Sequence, residues 1–262
     1  MKPYTLKPFS LPGLILLLIV LLYGCSATTP GKDDSSIDQD IIDTQTESIQ
    51  QSTLAEDAED LIELAEDSES PAEEHGYRVQ AARLYIEANM ITQARQQLEI
   101  IKQNNDQQLP GGEADPAVDA VIASQGIDIL LLTAEIAVAE KDLLQSMQLI
   151  SELEADERPR SQQQQLSYYA LKADIDHLSN RYFLAIDRRV QFADFLADTK
   201  ARQRNNKKIW GALSRMSDTE INNQYRQLDG QRNKRSETIE GWLALARITR
   251  SGQQNISRLE NK

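Results

Sequence analysis

An all-α fold of antiparallel helix hairpins is predicted by three observations. Apolar residues recur at three- and four-residue spacing from Leu54 onward, and no segment keeps the strict alternation of a half-buried strand. With 11 Gly and 8 Pro in 262 residues, the chain is poor in the turn formers a β-rich protein needs. Apolar residues reach 40% while aromatics stay at 5%, a composition that suits helix packing better than a sandwich core.

The first segment stands apart from that pattern. Lys2 and Lys7 precede an apolar run, Leu14 to Leu22, of nine residues. A membrane-spanning helix needs roughly 20, so residues 1–24 read as a secretory signal peptide. Leu22-Tyr23-Gly24-Cys25 resembles the lipobox of bacterial lipoproteins, in which cleavage occurs just before the Cys. A thiol is nucleophilic enough to accept diacylglycerol, and palmitate-type acylation completes a stable anchor because one chain alone binds only marginally. Cys25 is the chain's only cysteine, so the mature fold is expected to use it for lipid and to hold no disulfide. Ser26 follows it. By resemblance to the rule that sorts lipoproteins, this points to the outer membrane, periplasmic face, rather than the inner one. An ordinary secretory signal with an incidental Cys, or a short anchor helix, is the competing reading.

Charge is just as uneven. The net charge is -13, yet the interval between Lys32 and Arg78 holds 16 of the 41 Asp and Glu and no Lys or Arg, which leaves 25 acids against 28 bases elsewhere. This argues against nucleic acid as a partner of the acidic segment. Residues 25–52, rich in Ser, Thr, Asp and Gln, bury too little apolar surface to offset ordering entropy and are expected to form a disordered tether. A coil of that length reaches about 30 Å on average and about 90 Å when taut.

Residues 53–252 carry the helices. "LAEDAEDLIELAED" places Leu54, Ala58, Leu61 and Ala65 on one stripe of a very acidic helix. "YRVQAARLYIEANMITQARQQLEII" predicts two helices broken around Ala88 to Thr92, with Thr92 as N-cap. Ala82, Tyr85, Ala94 and Leu98 have the small–large–small–large spacing that lets paired helices approach closely, and they resemble the tetratricopeptide pattern. Ala134, Ala137, Ser146 and Ile150 repeat it, with Lys141-Asp142 as the turn. A third pass, Ala173 to Ala185, keeps the small residues but sets Asp176 and Arg189 in slots for large apolar groups, so it is the least persuasive. "NNDQQLPGGEADP" is read as a loop that lengthens the first interval beyond 34 residues. Further on come the amphipathic "NNKKIWGALSRM", a capping box at Ser217 and Glu220, and "ETIEGWLALARI", whose end is expected at Ser251-Gly252. Residues 253–262 are a polar tail.

Motifs that would carry chemistry are not found in the sequence. His75 and His177 have no Cys partners for zinc and lie in no HExxH; no P-loop and no G-x-S-x-G occurs. No cofactor, metal or catalytic residue is assigned, and a non-enzyme is expected. The surface feature that stands out is basic: Lys200, Arg202, Arg204, Lys207, Lys208 and Arg215 follow one another without an acid, then Arg226, Arg232, Lys234 and Arg235. Ordinary solvated helix charge is the favoured reading, and a docking patch for an acidic partner the functional one. Tyr168 and Tyr169 are either core or contact residues.

The order of these elements resembles the N-terminal half of the LpoA family, outer-membrane lipoprotein activators of penicillin-binding proteins. The most specific pieces are Trp210 with Ala212, Leu213 and Met216, then Gly241-Trp242-Leu243. The resemblance covers roughly Leu54 to Ile248. It implies an elongated tetratricopeptide-like superhelix and a non-catalytic role in peptidoglycan synthesis through contact with a class A penicillin-binding protein. It also implies a second, solute-binding-protein-like half, expected to begin where this chain ends at Lys262, and hence a partial activator. Two other readings stay open: a helical-repeat lipoprotein of outer-membrane protein assembly, and a muralytic enzyme accessory.

Overall fold

In the computed structural model the residues described are 35–107, 116–196, 198–228 and 233–260. Among them are ten helices and no strand: α1 (Ser35–Glu66), α2 (Pro71–Glu87), α3 (Ile91–Gln107), α4 (Pro116–Ala139), α5 (Leu143–Ala155), α6 (Gln162–Leu178), α7 (Tyr182–Ala193), α8 (Thr199–Arg215), α9 (Asp218–Leu228) and α10 (Lys234–Glu260). The expected signal peptide, Cys25 and most of the expected Pro-Gly-Gly loop lie outside the described residues. By contact the chain divides into two units, residues 1–47 and residues 48–262. The hairpins and the core belong to the second.

Three hairpins, α2–α3, α4–α5 and α6–α7, are built on one turn. Asn89, Lys141 and Asn180 sit at φ 59°, 62° and 59°. Around each, the chain makes the same closure: the amides of Met90, Asp142 and Arg181 donate to the carbonyls of Tyr85, Ala137 and Asp176, five residues back, at 2.8, 2.9 and 2.8 Å. This is the left-handed helix stop that satisfies the last carbonyls. Asn tolerates that conformation, whereas for Lys it costs roughly 1–2 kcal/mol. Replacing Lys141 by Gly, at about 0.5–1 kcal/mol of extra chain entropy, is therefore expected to raise stability by about 0.5 kcal/mol, readable as a higher urea midpoint.

Counting from these turns aligns the three passes residue for residue. The slots Ala82, Ala134 and Ala173 are each 0% exposed, as are Ala94, Ser146 and Ala185. A Cβ or hydroxymethyl group there lets the helix axes close, and Ile101, Leu153 and Phe192 fill the space two turns beyond. The third pass folds like the other two. Its large-residue slots hold Asp176 and Arg189, 2% and 3% exposed, and each is neutralised by partners.

Three clusters make up the core. Ala58 of α1 joins α2, α3 and one side of α4, through Leu132 and Ile136. The other side of α4, with Ile127, Leu131 and Ala134, packs with α5 and α6. Helices α7 to α10 form the third, around Ile186, Ile209, Leu213, Ile221 and Leu243. Each fully buried side chain of this kind contributes about 1.5–3 kcal/mol before entropy is counted. Residues Ala120–Ala139 of α4 are apolar enough to cross a bilayer by length and composition, with mean hydropathy 1.7. The helix is instead the shared wall of two hairpins, in contact with α2, α3, α5 and α6.

Helix starts follow from capping. Ser70, Asp142, Ser161 and Asp198 each accept a bond from the backbone N–H three residues on. Ser217 and Glu220 form the expected box, with Glu220 N donating to Ser217 Oγ at 3.2 Å and Ser217 N donating back to Glu220 Oε2 at 2.6 Å. A second box, at Ser161 and Gln164, is not foreseen from the sequence.

Three boundaries differ from expectation. Thr92 does not cap α3; the left-handed turn at Asn89 starts the helix at Ile91, which puts Thr92 inside its first turn. Helix α10 continues through Ser251-Gly252 to Glu260, since a Gly costs a helix interior only about 1 kcal/mol. Helix α1 begins at Ser35 and so runs through residue 52, the expected end of the tether. Residues 48–53 of it are exposed, and packing starts at Leu54 to Ala58.

Candidate interaction surface

Helices α2, α4, α6 and α8 present a common polar face, set by the residue that follows each buried alanine: Arg83, Glu135 and Asp174. Arg83 Nε donates to Glu135 Oε2 at 3.0 Å, and Lys208 Nζ of α8 donates to Asp174 Oδ2 at 2.8 Å. Asp174 also takes Arg189, whose Nη1 donates to Asn205 Oδ1 at 3.3 Å. His75 Nε2 lies 3.3 Å from Asp128 Oδ2, and Arg204 Nη1 spans to Glu87 Oε2 at 3.6 Å, joining α8 back to α2. The charges along this face therefore answer one another across helices.

Their environments pull the two central acids apart. Burial pushes the Glu135 carboxyl above the usual carboxylate range, and Arg83 only partly offsets it. Burial acts on Asp174 in the same direction, but Lys208 and Arg189 outweigh it and hold that carboxyl below its ordinary value. Outside the face, Asp156 is held at about 2 by bonds from Arg158, whose Nη1 also reaches Ala123 O at 2.9 Å and ties the α5–α6 loop to α4. An acid with a depressed folded-state pKa stabilises above its unfolded value and loses that contribution as pH falls through the folded value. Thermal unfolding followed from pH 4 to pH 2 is therefore expected to show a falling midpoint, and Asp156→Asn to flatten the fall.

The basic stretch lies on α8, the end of α9 and the start of α10, and much of it is engaged. Arg202 Nε donates to Leu196 O at 3.1 Å, Arg204 meets Glu87 and Lys208 meets Asp174. Lys234 pairs with Asp194 and Arg235 with Asp187. Lys200, Arg202, Arg204, Lys207 and Lys208 all remain exposed. Arg232 lies outside the described residues. The partners lie far upstream, Asp187 48 residues before Arg235 and Glu87 farther still from Arg204, so the run of cations alone could not show them.

Tyr168 is half-buried on α6 and is not a simple core residue. Its hydroxyl donates to Glu154 Oε1 at 2.8 Å, the Lys172 ammonium reaches the same oxygen at 2.5 Å, and the Arg160 guanidinium lies 4.9 Å from the ring centroid. The Tyr169 ring meets its edge at 5.5 Å. Trp210 is 37% exposed at the rim of a shallow cleft of about 300 Å³ that Leu213, Met216, Ala246 and Arg250 help to line, whereas Trp242 packs half-buried on the third core. Arg250 carries no signal in the sequence. Its Nη2 donates to the carbonyls of Leu213 and Met216 at 2.7 and 2.8 Å, and so caps the end of α8 from α10.

Stacked helix hairpins with a charged, side-chain-lined face define a helical-repeat module of the kind that works by contact with other macromolecules. The chain belongs to the family described as "LppC putative lipoprotein", whose model matches residues 50–262. It is 26% identical over 252 residues to the penicillin-binding protein activator LpoA of Histophilus somni (strain 2336), covering 95% of this chain and 35% of that protein. It is 31% identical over 130 residues to the LpoA of Dickeya chrysanthemi (strain Ech1591), covering 50% of this chain and 18% of that one. The chain thus spans about a third of the length of the first of these relatives. A solved structure of Haemophilus influenzae LpoA shares the fold, with a TM-score of 0.52 and 21% identity over 72% of this chain and 30% of that one.

Proposed function

We propose that this protein is a non-catalytic scaffold, held by a lipidated Cys25 at the periplasmic face of the outer membrane, that supports peptidoglycan synthesis by binding a class A penicillin-binding protein. The similarity over 95% of the chain to proteins named penicillin-binding protein activators carries this reading. The helical-repeat fold supports it, since such a body offers broad faces for a protein partner. Contact falls on the face shared by α2, α4, α6 and α8, with the exposed cations Lys200, Arg202, Arg204, Lys207 and Lys208 at its α8 edge and Tyr168 as a further contact. Rim charges of this kind govern encounter rate and salt dependence more than final affinity.

Two measurements test the proposal. The full chain immobilised on beads is expected to retain a purified class A synthase and to raise its rate of glycan polymerisation; no retention and an unchanged rate would remove the reading. Labelled palmitate is expected to enter the wild-type protein in cells and not the Cys25→Ser variant, which leaves the membrane fraction. Equal labelling of both would exclude the anchor.

A further inference from the structure

We propose a second contact site, away from the face above: Arg160, Tyr168 and Lys172 form a seat for a carboxylate of an acidic partner segment, filled in the free chain by its own Glu154. On α6, Lys172 and Asp174 are two residues and about 200° apart around the helix, so the two sites point in different directions.

The donor set is built around one anion. Tyr168 Oη and Lys172 Nζ both converge on a single oxygen of Glu154, Oε1, at 2.8 and 2.5 Å. Lys172 Nζ also lies 3.2 Å from Tyr168 Oη and 5.2 Å from the ring centroid, with Arg160 at 4.9 Å from that centroid. Positive charge is in surplus here. The neighbouring Arg188 and Arg181 share the single carboxylate of Asp176, and Arg160, Lys172 and Arg158 face only Glu154 and Asp156 among the described residues. One donor has no acceptor: Arg160 Nε is buried without a partner among the described residues, while another nitrogen of that guanidinium donates to Leu153 O.

The present occupant is placed to leave. Glu154 is 45% exposed, whereas Lys172 is 22% exposed. It stands in the last turn of α5, where a negative charge opposes the helix dipole. Its carboxyl is held below the ordinary range by the bond from Lys172 and then by that from Tyr168, so the cluster and not the helix fixes it. A carboxylate from outside can take the same two donors that Glu154 uses, with the Arg160 guanidinium beside the Tyr168 ring to add to the attraction. Charge-assisted bonds of this type are the strong class.

The test uses the full chain, at a salt concentration that screens its overall negative charge, and a fluorescent peptide of four glutamates beside its glutamine counterpart, read by anisotropy. Glu154→Ala is expected to bind the glutamate peptide at least tenfold more tightly than the wild type, with no gain for the glutamine peptide. Adding Lys172→Met is expected to abolish the gain. An unchanged affinity in Glu154→Ala, a gain that survives loss of Lys172, or an equal gain for the glutamine peptide each overturns the proposal. Glu154→Gln, which keeps an acceptor for the tyrosine hydroxyl, gives the same reading if the alanine variant fails to fold.

Discussion

Replacing Asp176 by Ala is expected to cost the folded body about 3 kcal/mol, the larger part of it through Arg188. The Asp176 carboxylate is almost fully buried and receives Arg181 at 2.6 Å and Arg188 at 2.5 Å. Arg181 is 51% exposed, so water takes over most of what it loses; Arg188 is 25% exposed and is left with a charge that the surrounding helices solvate poorly. Size is not the reason for the cost, because the equivalent slot of the second hairpin holds Ala137 at 1% exposure. Urea unfolding of Asp176→Ala, Arg188→Ala and the double variant separates the two contributions. A loss below 1 kcal/mol in the single Asp variant would mean that the pair is screened.

That pair also marks where sequence reading stops. The first two hairpins are legible in Ala82, Tyr85, Ala94 and Leu98 and in Ala134, Ala137, Ser146 and Ile150, because close helix contact demands small residues at fixed spacing whatever lies around them. The third is legible only in its alanines. Charges at Asp176 and Arg189 look like violations until the partners are in place, and those partners are set by the folded structure: Arg181 and Arg188 for Asp176, Asp174 and Asn205 for Arg189. The same limit applies to the surface. A run of cations without an intervening acid looks free along the chain, yet Lys208, Lys234 and Arg235 each meet an aspartate at least 34 residues upstream. Tyr168 stands out in the sequence, but Glu154, 14 residues before it, does not, since acids on helices are too common to be noticed. The turn at Lys141-Asp142 is legible, but the left-handed backbone of Lys141 is not, because Lys is not a residue that marks that conformation.

The two leucines at 131 and 132 test whether the hairpins are energetically separate. They are neighbours on α4, both 0% exposed, but their side chains enter different cores: Leu132 packs with Val79, Tyr85 and Leu98 of the first hairpin, and Leu131 with Ile150, Leu153 and Leu171 beyond it. Each substitution to Ala is expected to cost about 2–5 kcal/mol, the transfer loss plus an unfilled cavity. In a stacked repeat, stability is close to a sum of unit and nearest-neighbour terms, so the two costs should fall in different places. Amide exchange of Leu132→Ala is expected to accelerate in α2 and α3 while α5 and α6 stay protected, and Leu131→Ala is expected to show the reverse. Uniform acceleration in both variants would show that the helices from α2 to α6 open as one cooperative unit. A partner that bridges α2 and α8 would then stabilise the whole body at once; if the hairpins open separately, it would tie together units that otherwise open alone.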